Sequence, residues 1–393
     1  TSGRMTEVLA AMKPFMRFFE TSTWARRRFE PGISDFAIGN PHEMPLPGFV
    51  SALQRQVQPQ NKDWFAYKTS EAEARAVIAA SLCERRGLPF EEEDIQLTNG
   101  CTGAIAVSLC TLLDPGDEVI FNSPPWFFYE AYITAYGGKP VRVKVDPENY
   151  DLDISAIEQA ITERTRAIIV NSPNNPTGKI YPPETLHRLS QVLTAASERN
   201  GRTIYLLSDE AYSRIIFDDR DYPSPTAFYP NSLLLYTYGK TLLTPGQRLG
   251  YIALPPTMPD REGLRRALFA AQIVVGFAFP NALMQYALDD LEKLSLDIDH
   301  LQVRRDRMVG ALRGMGYELY VPEGTFYVMV WTPIEDDVAF SEILAEYDVF
   351  VLPGSVVELP GTFRLSLTAN DEMVERSLPG FEAAMKGVGV TAR

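Results

Sequence analysis

Histidine is scarce in this chain of 393 residues. Its three histidines are His42, His187 and His300, and no H-E-x-x-H pair occurs among them. Zinc sites and serine–histidine triads need histidine at defined positions, so this scarcity argues against both. We expect no metal site.

Cysteine is equally scarce. Cys83, Cys101 and Cys110 form no C-x-x-C pair, and their odd number leaves one thiol without a partner. A disulfide framework needs paired cysteines and an oxidising compartment. The sequence therefore predicts a cytoplasmic protein.

Basic charge is in deficit. The 37 lysines and arginines stand against 51 aspartates and glutamates, which gives a net charge of −14 at pH 7. Proteins that bind nucleic acid carry a basic face that attracts the phosphate backbone. The composition therefore predicts a protein with no nucleic-acid partner.

Long hydrophobic runs are missing, although residues 268–288 carry no formal charge. This stretch contains Gln272, Pro280, Asn281 and Gln285, and polar side chains are costly in the hydrocarbon of a bilayer. The stretch is therefore predicted to be buried in the fold or between subunits. The N-terminal sequence also lacks the apolar core of a signal peptide, so we expect no membrane partner.

Short apolar segments that alternate with helical patterns are abundant. Six of them read as strands: 95–98, 118–122, 167–171, 204–208, 233–237 and 249–254. Several are apolar almost throughout, as strands covered by helices on both faces must be. The sequence therefore predicts an α/β fold with a large domain built on a mostly parallel central sheet.

The last third of the chain has a different pattern. A charged helical pattern runs from about 285 to 315, and shorter strand signals follow at 317–321, 326–331, 349–351 and 362–367. We expect three parts: an N-terminal arm with part of a small domain at 1–45, the large domain at 46–284, and a smaller α+β domain at 285–393.

One motif is misleading. Gly239-Lys240-Thr241 looks like the end of a phosphate-binding G-x-x-x-x-G-K-T loop, but its first glycine position is occupied by Leu234 inside an apolar strand. That loop needs glycine there to wrap a phosphate. The sequence therefore does not predict a P-loop.

Polar and turn-forming residues follow four of the predicted strands. Residues 99–103 read NGCTG, 124–126 read PPW, 172–178 read SPNNPTG and 209–212 read DEAY. Open α/β sheets bind ligands at the carboxyl ends of their strands, and a small-residue turn that opens a helix suits a phosphate. These four loops form the candidate site.

The order of the motifs resembles a known family. SPNNPTG is followed by SDEAY, by YTYGK with Arg248 eight residues after its lysine, and by FRLSL. From about Asp35 to the last helix, the chain resembles the fold-type I, pyridoxal-phosphate-dependent aminotransferases of class I and II. The resemblance implies an enzyme that uses pyridoxal 5′-phosphate (PLP) to exchange the amino group of an α-amino acid with a 2-oxo acid by a ping-pong mechanism.

The resemblance also implies roles for individual residues. As catalytic residues, Lys240 would form a Schiff base with the cofactor, Asp209 would pair with its pyridine nitrogen, and Tyr212 would hydrogen-bond its 3-oxygen. The full cofactor-binding set is Gly100, Cys101, Thr102, Trp126, Asn175, Asp209, Tyr212, Thr237, Lys240 and Arg248. Gly39, Asn175 and Arg364 would bind the substrate, with the planar fork of Arg364 on its α-carboxylate.

The family further implies a homodimer with shared active sites, and here one motif departs from its pattern. The family's Y-x-x-x-x-G-x-x-x-L-R frame, aligned on Arg75, has Phe65 and Ser70 at the tyrosine and glycine positions. Tyr67 lies two residues out of frame, so its contact with the partner's phosphate site stays an open question. No arginine is assigned to a substrate side-chain carboxylate, so a dicarboxylic donor is not supported.

Alternatives to an aminotransferase remain. The same motifs suit a PLP-dependent lyase, decarboxylase or oxidase, because one cofactor-bound amino acid can lose different bonds. A transcription regulator would need a DNA-binding segment, and only 34 residues precede Asp35. Phe15, Phe18, Phe19 and Trp24 either line an apolar substrate pocket or form a packing stripe.

Overall fold

The structure is a computed structural model that describes residues 1–389. The strands in this range are β1 (Ser34–Asp35), β2 (Ile95–Thr98), β3 (Glu118–Ser123), β4 (Lys139–Lys144), β5 (Thr165–Asn171), β6 (Tyr205–Asp209), β7 (Ser232–Thr237), β8 (Gly250–Ala253), β9 (Tyr327–Trp331), β10 (Val349–Phe350), β11 (Leu352–Pro353) and β12 (Thr362–Ser366). The six strands predicted for the large domain correspond to β2, β3, β5, β6, β7 and β8.

The helices connect and cover these strands. They are α1 (Gly3–Thr21), α2 (Thr23–Arg27), α3 (Pro47–Val57), α4 (Ala72–Arg86), α5 (Gly100–Leu112), α6 (Tyr129–Ala135), α7 (Ile154–Ala160), α8 (Pro183–Asn200), α9 (Tyr238–Thr241), α10 (Arg261–Val275), α11 (Ala282–Tyr286), α12 (Leu288–Leu291), α13 (Ile298–Gly314), α14 (Asp337–Glu346) and α15 (Asp371–Gly387).

The central sheet has seven strands in the order β2-β8-β7-β6-β5-β3-β4. Strand β8 is antiparallel to both of its neighbours, and the other pairings are parallel. Alternate residues of β5 pack into different cores on the two faces, Ile169 on one side and Ile168 with Val170 on the other. Burial on both faces explains the almost continuous apolar runs and confirms the predicted α/β fold.

The carboxyl ends of the parallel strands meet at one edge of this sheet. Strands β3, β5, β6 and β7 end there at Ser123, Asn171, Asp209 and Thr237. The loops that follow them are the segments that the sequence singled out. The topology therefore assembles the site from segments far apart in sequence.

Strand β4 was not predicted from the sequence. It reads KPVRVK and forms the outer edge of the sheet beside β3, with both terminal lysines exposed. Charged residues and proline are common on edge strands because they discourage pairing with other chains. Because of these residues, β4 has no apolar run from which a strand could be predicted.

The smaller C-terminal region contains a sheet in the order β11-β12-β9. Strand β1 pairs in parallel with β10, so the N-terminal arm joins this region. The predicted strand at 317–321 is wrong, because only Leu319 makes an isolated bridge, to Val330. The division at 45/46 and 284/285 stays a proposal, which the β1–β10 pairing supports.

The predicted helix over 285–315 is interrupted. Helices α11 and α12 are short, and α13 begins only at Ile298. Between them the Leu296 N–H donates to the carbonyl of Thr241 at 2.8 Å, and Asp297 caps α13 by accepting from the His300 N–H. These contacts tie the chain to the Lys240 turn, and helical periodicity cannot reveal such a tertiary anchor.

The uncharged stretch 268–288 is bent rather than continuous. Helix α10 ends at Val275, and the following Gly276, with a φ of +86°, turns the chain. Leu268, Gln272 and Met284 are buried, and Gln272 donates to the carbonyl of Leu97 at 2.7 Å. No helix within residues 1–389 is long and apolar enough to cross a membrane.

Candidate active site

A cavity opens at the carboxyl edge of the central sheet. Its lining consists of Cys101, Thr102, Ile105, Trp126, Asn171, Asn175, Asp209, Ala211, Tyr212, Thr237, Gly239, Lys240, Pro245 and Arg248. This set includes every residue predicted to bind the cofactor except Gly100, and a Cβ on Gly100 would lie 3.0 Å from Arg248 Nη2. The predicted cofactor residues therefore gather around one cavity.

Lys240 lies in α9, the single helical turn after β7. Thr237 caps this turn: its hydroxyl accepts from the Gly239 N–H at 3.3 Å and donates to the carbonyl of Leu249 at 3.1 Å. The Nζ atom of Lys240 lies 5.5 Å from the ring centroid of Tyr212 and 5.8 Å from that of Phe326. The amine therefore lies between two aromatic side chains at the cavity wall.

Asp209 ends β6 as a buried carboxylate. Its Oδ2 accepts from the Tyr129 hydroxyl at 2.6 Å, and its Oδ1 accepts from the Ala211 N–H at 3.2 Å and the Cys101 thiol at 3.4 Å. Burial raises the pKa of Asp209 above its ordinary value, and these three donors oppose that rise. Within residues 1–389 the carboxylate is thus oriented by hydrogen bonds without a direct cationic partner.

Tyr129 was missed in the sequence. It stands at the start of α6, three residues after Trp126, in a segment of consecutive aromatic residues with no recognisable motif. Burial and the charge of Asp209 raise the pKa values of Tyr129 and Cys101 well above their ordinary range. Both groups therefore remain protonated and act as donors to Asp209.

The other end of the cavity is formed by α5 and Arg248. Gly100 begins α5 with a φ of +73°, and Asn99 makes no side-chain cap, so the first N–H groups of the helix are not used by a cap. Arg248 Nη2 donates to the Thr102 hydroxyl at 2.6 Å and to the Asn99 carbonyl at 3.4 Å. Free N–H groups, a hydroxyl and a guanidinium make this end suitable for a phosphate.

Trp126 and Asn175 lie on further loops at the same edge. Trp126 is half-buried, with its ring centroid 5.2 Å from that of Phe128. Asn175 is held by its N–H, which donates to Asn171 Oδ1 at 2.7 Å, and the amide of Asn171 donates to the Asp209 carbonyl at 2.9 Å. Asn171, also missed in the sequence, thus links the two loops.

Arg364 on β12 reaches the site from the smaller region. Although only 2% exposed, it donates from Nη1 to Asn175 Oδ1 and from Nη2 to the Ala37 carbonyl, both at 3.1 Å. Its Nε has no hydrogen-bond partner among the described residues, and burial lowers the pKa of Arg364. A buried guanidinium without a carboxylate partner is suited to an anionic ligand.

Gly39 lies on the arm segment that passes Arg364. A Cβ at this position would overlap the hydroxyl of Tyr327 and lie 3.0 Å from the ring of Phe326. A side chain at this position would displace the Tyr327 hydroxyl. Tyr327 was also missed in the sequence, where it is one aromatic residue of the apolar strand β9.

These features fit PLP. The α5 end offers phosphate donors, Lys240 offers an amine, and a protonated pyridine nitrogen would give the buried Asp209 carboxylate the cationic partner that it lacks. Trp126 offers an aromatic ring in the cavity lining. The donor set thus matches the phosphate, aldehyde, ring and nitrogen of the cofactor.

Other sequence predictions fall outside the cavity. Phe18 and Trp24 stack at 5.1 Å and are buried, as a packing stripe requires. Phe15 packs on Phe127, whose ring centroid lies 4.9 Å away. Tyr67 is fully exposed and contributes nothing to the cavity of its own chain. No cluster of metal-ligating side chains occurs in residues 1–389.

Comparisons with known proteins agree with this geometry. The family described as "Aminotransferase class I and II" matches residues 31–379. The aspartate/prephenate aminotransferase of Thermus thermophilus is 30% identical over 90% of this chain and 91% of its own length. A probable aspartate/prephenate aminotransferase of Aquifex aeolicus is 27% identical over 91% of this chain and 92% of its own length.

Solved structures give the same picture. An amino transferase from Eubacterium rectale superposes with a TM-score of 0.88 and 29% identity over 99% of this chain and 96% of its own. A single mutant of Thermus thermophilus aspartate aminotransferase superposes with a TM-score of 0.80 and 25% identity over 98% and 99% of the two chains. The family match, spread over most of the chain, and the assembled cavity support one conclusion. This chain belongs to the class I and II aminotransferases, PLP-dependent enzymes that transfer an amino group between an α-amino acid and a 2-oxo acid.

Proposed function

We propose that the cavity holds PLP covalently attached at Lys240, with the pyridine nitrogen at Asp209 and the phosphate between α5 and Arg248. The observation that carries this proposal is the convergence of three groups: the Lys240 amine, the buried Asp209 carboxylate and the Arg248 guanidinium line the same cavity. When bound, PLP supplies an electron sink for the bonds at the substrate Cα.

The residues of the chain would supply the rest of the reaction. The Nζ amine of Lys240, which lies near the rings of Tyr212 and Phe326, would take the proton from the substrate Cα. Asp209, held by Tyr129, Cys101 and the Ala211 N–H, would pair with the protonated ring nitrogen. Trp126 would cover a ring face, and Tyr212 and Asn175 would donate hydrogen bonds to the ring 3-oxygen.

Substrate recognition is proposed for Arg364 and the arm segment at Gly39. The guanidinium is already held from two sides by Asn175 and the Ala37 carbonyl. This fixes the plane of the fork before substrate arrives, and a preorganised bidentate donor loses little entropy on binding. The α-carboxylate would therefore be oriented relative to Lys240.

Arg364→Lys should weaken recognition of the α-carboxylate. Lysine keeps the charge but loses the planar fork, so kcat/KM for amino acids should fall by the equivalent of about 2 to 4 kcal/mol. Single-turnover rates measured with amino acids and with simple amines will check this. Amines have no carboxylate and should be nearly unaffected. An equal loss for both classes would contradict the role of Arg364.

We also propose that the functional unit is a homodimer. Phe269, Ile273, Val274 and Phe277, on α10 and the turn after it, are exposed apolar residues of the uncharged stretch. Asn99 precedes α5 at the end of the cavity that suits a phosphate, and its side chain donates to the Phe277 carbonyl at 3.2 Å. The exposed apolar patch therefore adjoins the candidate active site. Exposed apolar patches of this kind support an interface. The exposed Tyr67 is available for a contact with a partner.

Val274→Asp tests the dimer. Val274 is 76% exposed, and two aspartates facing a shared apolar interface should raise the dimer dissociation constant by about a hundredfold or more. Sedimentation at assay concentration should show a dimer for the wild type and monomers with reduced activity for the variant. Val303→Asp, on α13, is the matched control at an exposed valine. A fully active wild-type monomer would refute the proposal.

A cytoplasmic location is the remaining proposal. All three cysteines are free in the structure, and Cys101 is buried in the candidate site as a thiol. Free thiols support a reducing compartment. Fractionation of the source cells, followed by detection of the protein, tests this location.

A further inference from the structure

Tyr327 connects the groups that flank the substrate position, although no motif points to it. Its side chain is 3% exposed and lies at the start of β9. The ring centroid of Tyr327 lies 4.0 Å from the Arg364 Cζ atom, and the hydroxyl of Tyr327 accepts a hydrogen bond from the Tyr212 hydroxyl at 3.4 Å. A Cβ on Gly39 would overlap the same hydroxyl.

The ring of Tyr327 contacts the guanidinium of Arg364 from outside the plane of its two hydrogen bonds. Nη1 and Nη2 each have an acceptor in the plane of the fork, and the aromatic face covers the plane itself. Cation–π contact is strongest when both groups are removed from water, as they are here. The unpartnered Nε is then held in a fixed direction for a ligand.

The hydroxyl of Tyr327 contacts a second residue of the site, Tyr212. A hydroxyl both donates and accepts, so Tyr327 can donate to Tyr212 whenever Tyr212 donates elsewhere. Burial raises the pKa of Tyr327, but the positive charges of Arg364 and Lys240 hold that pKa below its ordinary value. When the Tyr212 proton is directed to the cofactor, the Tyr327 hydroxyl is a donor within reach of the Tyr212 oxygen, 3.4 Å away.

We propose that Tyr327 is a positioning residue with two separable actions: its ring orients Arg364 for the substrate carboxylate, and its hydroxyl strengthens Tyr212 as a donor to the cofactor. This inference rests on the proposed function. The two actions belong to different atoms, so different substitutions remove them one at a time.

Tyr327→Phe removes the hydroxyl and keeps the ring. The 3-oxygen of the bound cofactor should then receive a weaker hydrogen bond from Tyr212. The pKa at which the absorbance of the lysine-bound cofactor changes should rise by about 0.5 to 1 unit, the size of one hydrogen bond's differential effect. KM for amino acids should stay within about twofold, since the ring still covers Arg364.

Tyr327→Leu removes the ring as well. KM for amino acids should rise about three- to thirtyfold, the fold-change that corresponds to a cation–π contact. Single-turnover rates with simple amines should not change by a similar factor. Tyr317→Phe is the matched control, because Tyr317 is a buried tyrosine of the same region whose hydroxyl donates to the Phe381 carbonyl at 2.9 Å, within the apolar core. It should leave both readouts at wild-type values.

The outcomes separate this inference from the proposed function. A wild-type protein with no cofactor absorbance and no amino transfer would refute the function itself. A normal wild type with an unshifted spectroscopic pKa in Tyr327→Phe would overturn the hydroxyl's action. An unchanged KM for amino acids in Tyr327→Leu would overturn the ring's action. If Tyr327→Leu does not fold, the comparison of Tyr327→Phe with Tyr317→Phe still tests the action of the hydroxyl. Tyr327→Met then replaces Tyr327→Leu as the test of the ring.

Discussion

Lys240→Ala is expected to abolish amino transfer and to remove the attachment point of the cofactor. Lys240 is the one lysine in the lining of the cavity within the described chain, and α9 holds its amine between Tyr212 and Phe326. The variant loses both the covalent nucleophile and the proposed proton acceptor, which together should cost about five orders of magnitude or more in kcat.

Borohydride reduction followed by peptide mapping measures the attachment directly. Wild-type protein loaded with PLP should carry a pyridoxyl group on Lys240, and Lys240→Ala should carry none. Lys179→Ala is the matched control: Lys179 lies beside the SPNNPTG loop and pairs with Glu323 at 3.7 Å, so its variant should keep the adduct on Lys240. A wild-type adduct on any other lysine would refute the assignment.

Asp209→Ala should keep part of its affinity for PLP and lose most of its activity. The phosphate end, formed by α5, Thr102 and Arg248, is unchanged by the substitution, so the cofactor still binds. The ring nitrogen would lose the carboxylate that favours its protonated form, and with it the electron sink. We expect kcat to fall by roughly three orders of magnitude, about 4 kcal/mol.

Equilibrium dialysis with PLP and turnover per bound cofactor separate these two effects. Asp209→Glu should recover part of the activity, because a carboxylate remains. Asp117→Asn is the control for loss of a buried acid. Asp117 lies at the opposite edge of the sheet, just before β3, and pairs with both Nη atoms of Arg202 at 2.6 Å. Its variant should be less stable but normal in turnover per bound cofactor. Near-normal turnover in Asp209→Ala would mean that another group pairs with the ring nitrogen.

The sequence was sufficient for six of the seven strands of the central sheet and for the predicted cofactor residues that line the cavity. Buried parallel strands leave continuous apolar runs, and the loops at their carboxyl ends carry short motifs in a fixed order. Asp209 and Asn175 could therefore be recognised before any contact was known. Edge strand β4 was not predicted because its exposed positions carry charged residues in place of an apolar run.

The supporting contacts of the site could not be read from the sequence. Tyr129 reaches Asp209 across a separation of 80 residues, and Tyr327 reaches Tyr212 across 115. Each is an aromatic residue among other aromatic or apolar residues, so only the fold distinguishes it from a core residue. The break before α13 is similar, because it depends on the hydrogen bond from Leu296 to Thr241.

Amino transfer itself is tested most directly by following one half of the reaction. The wild-type enzyme, loaded with PLP and mixed with each of a panel of amino acids but no 2-oxo acid, should stop after a single turnover. Its absorbance should move from the band of the lysine-bound cofactor to that of pyridoxamine phosphate, and an added 2-oxo acid should restore the first band. Continuous consumption of an amino acid without any acceptor, with release of ammonia or carbon dioxide, would contradict this account and establish a lyase, oxidase or decarboxylase.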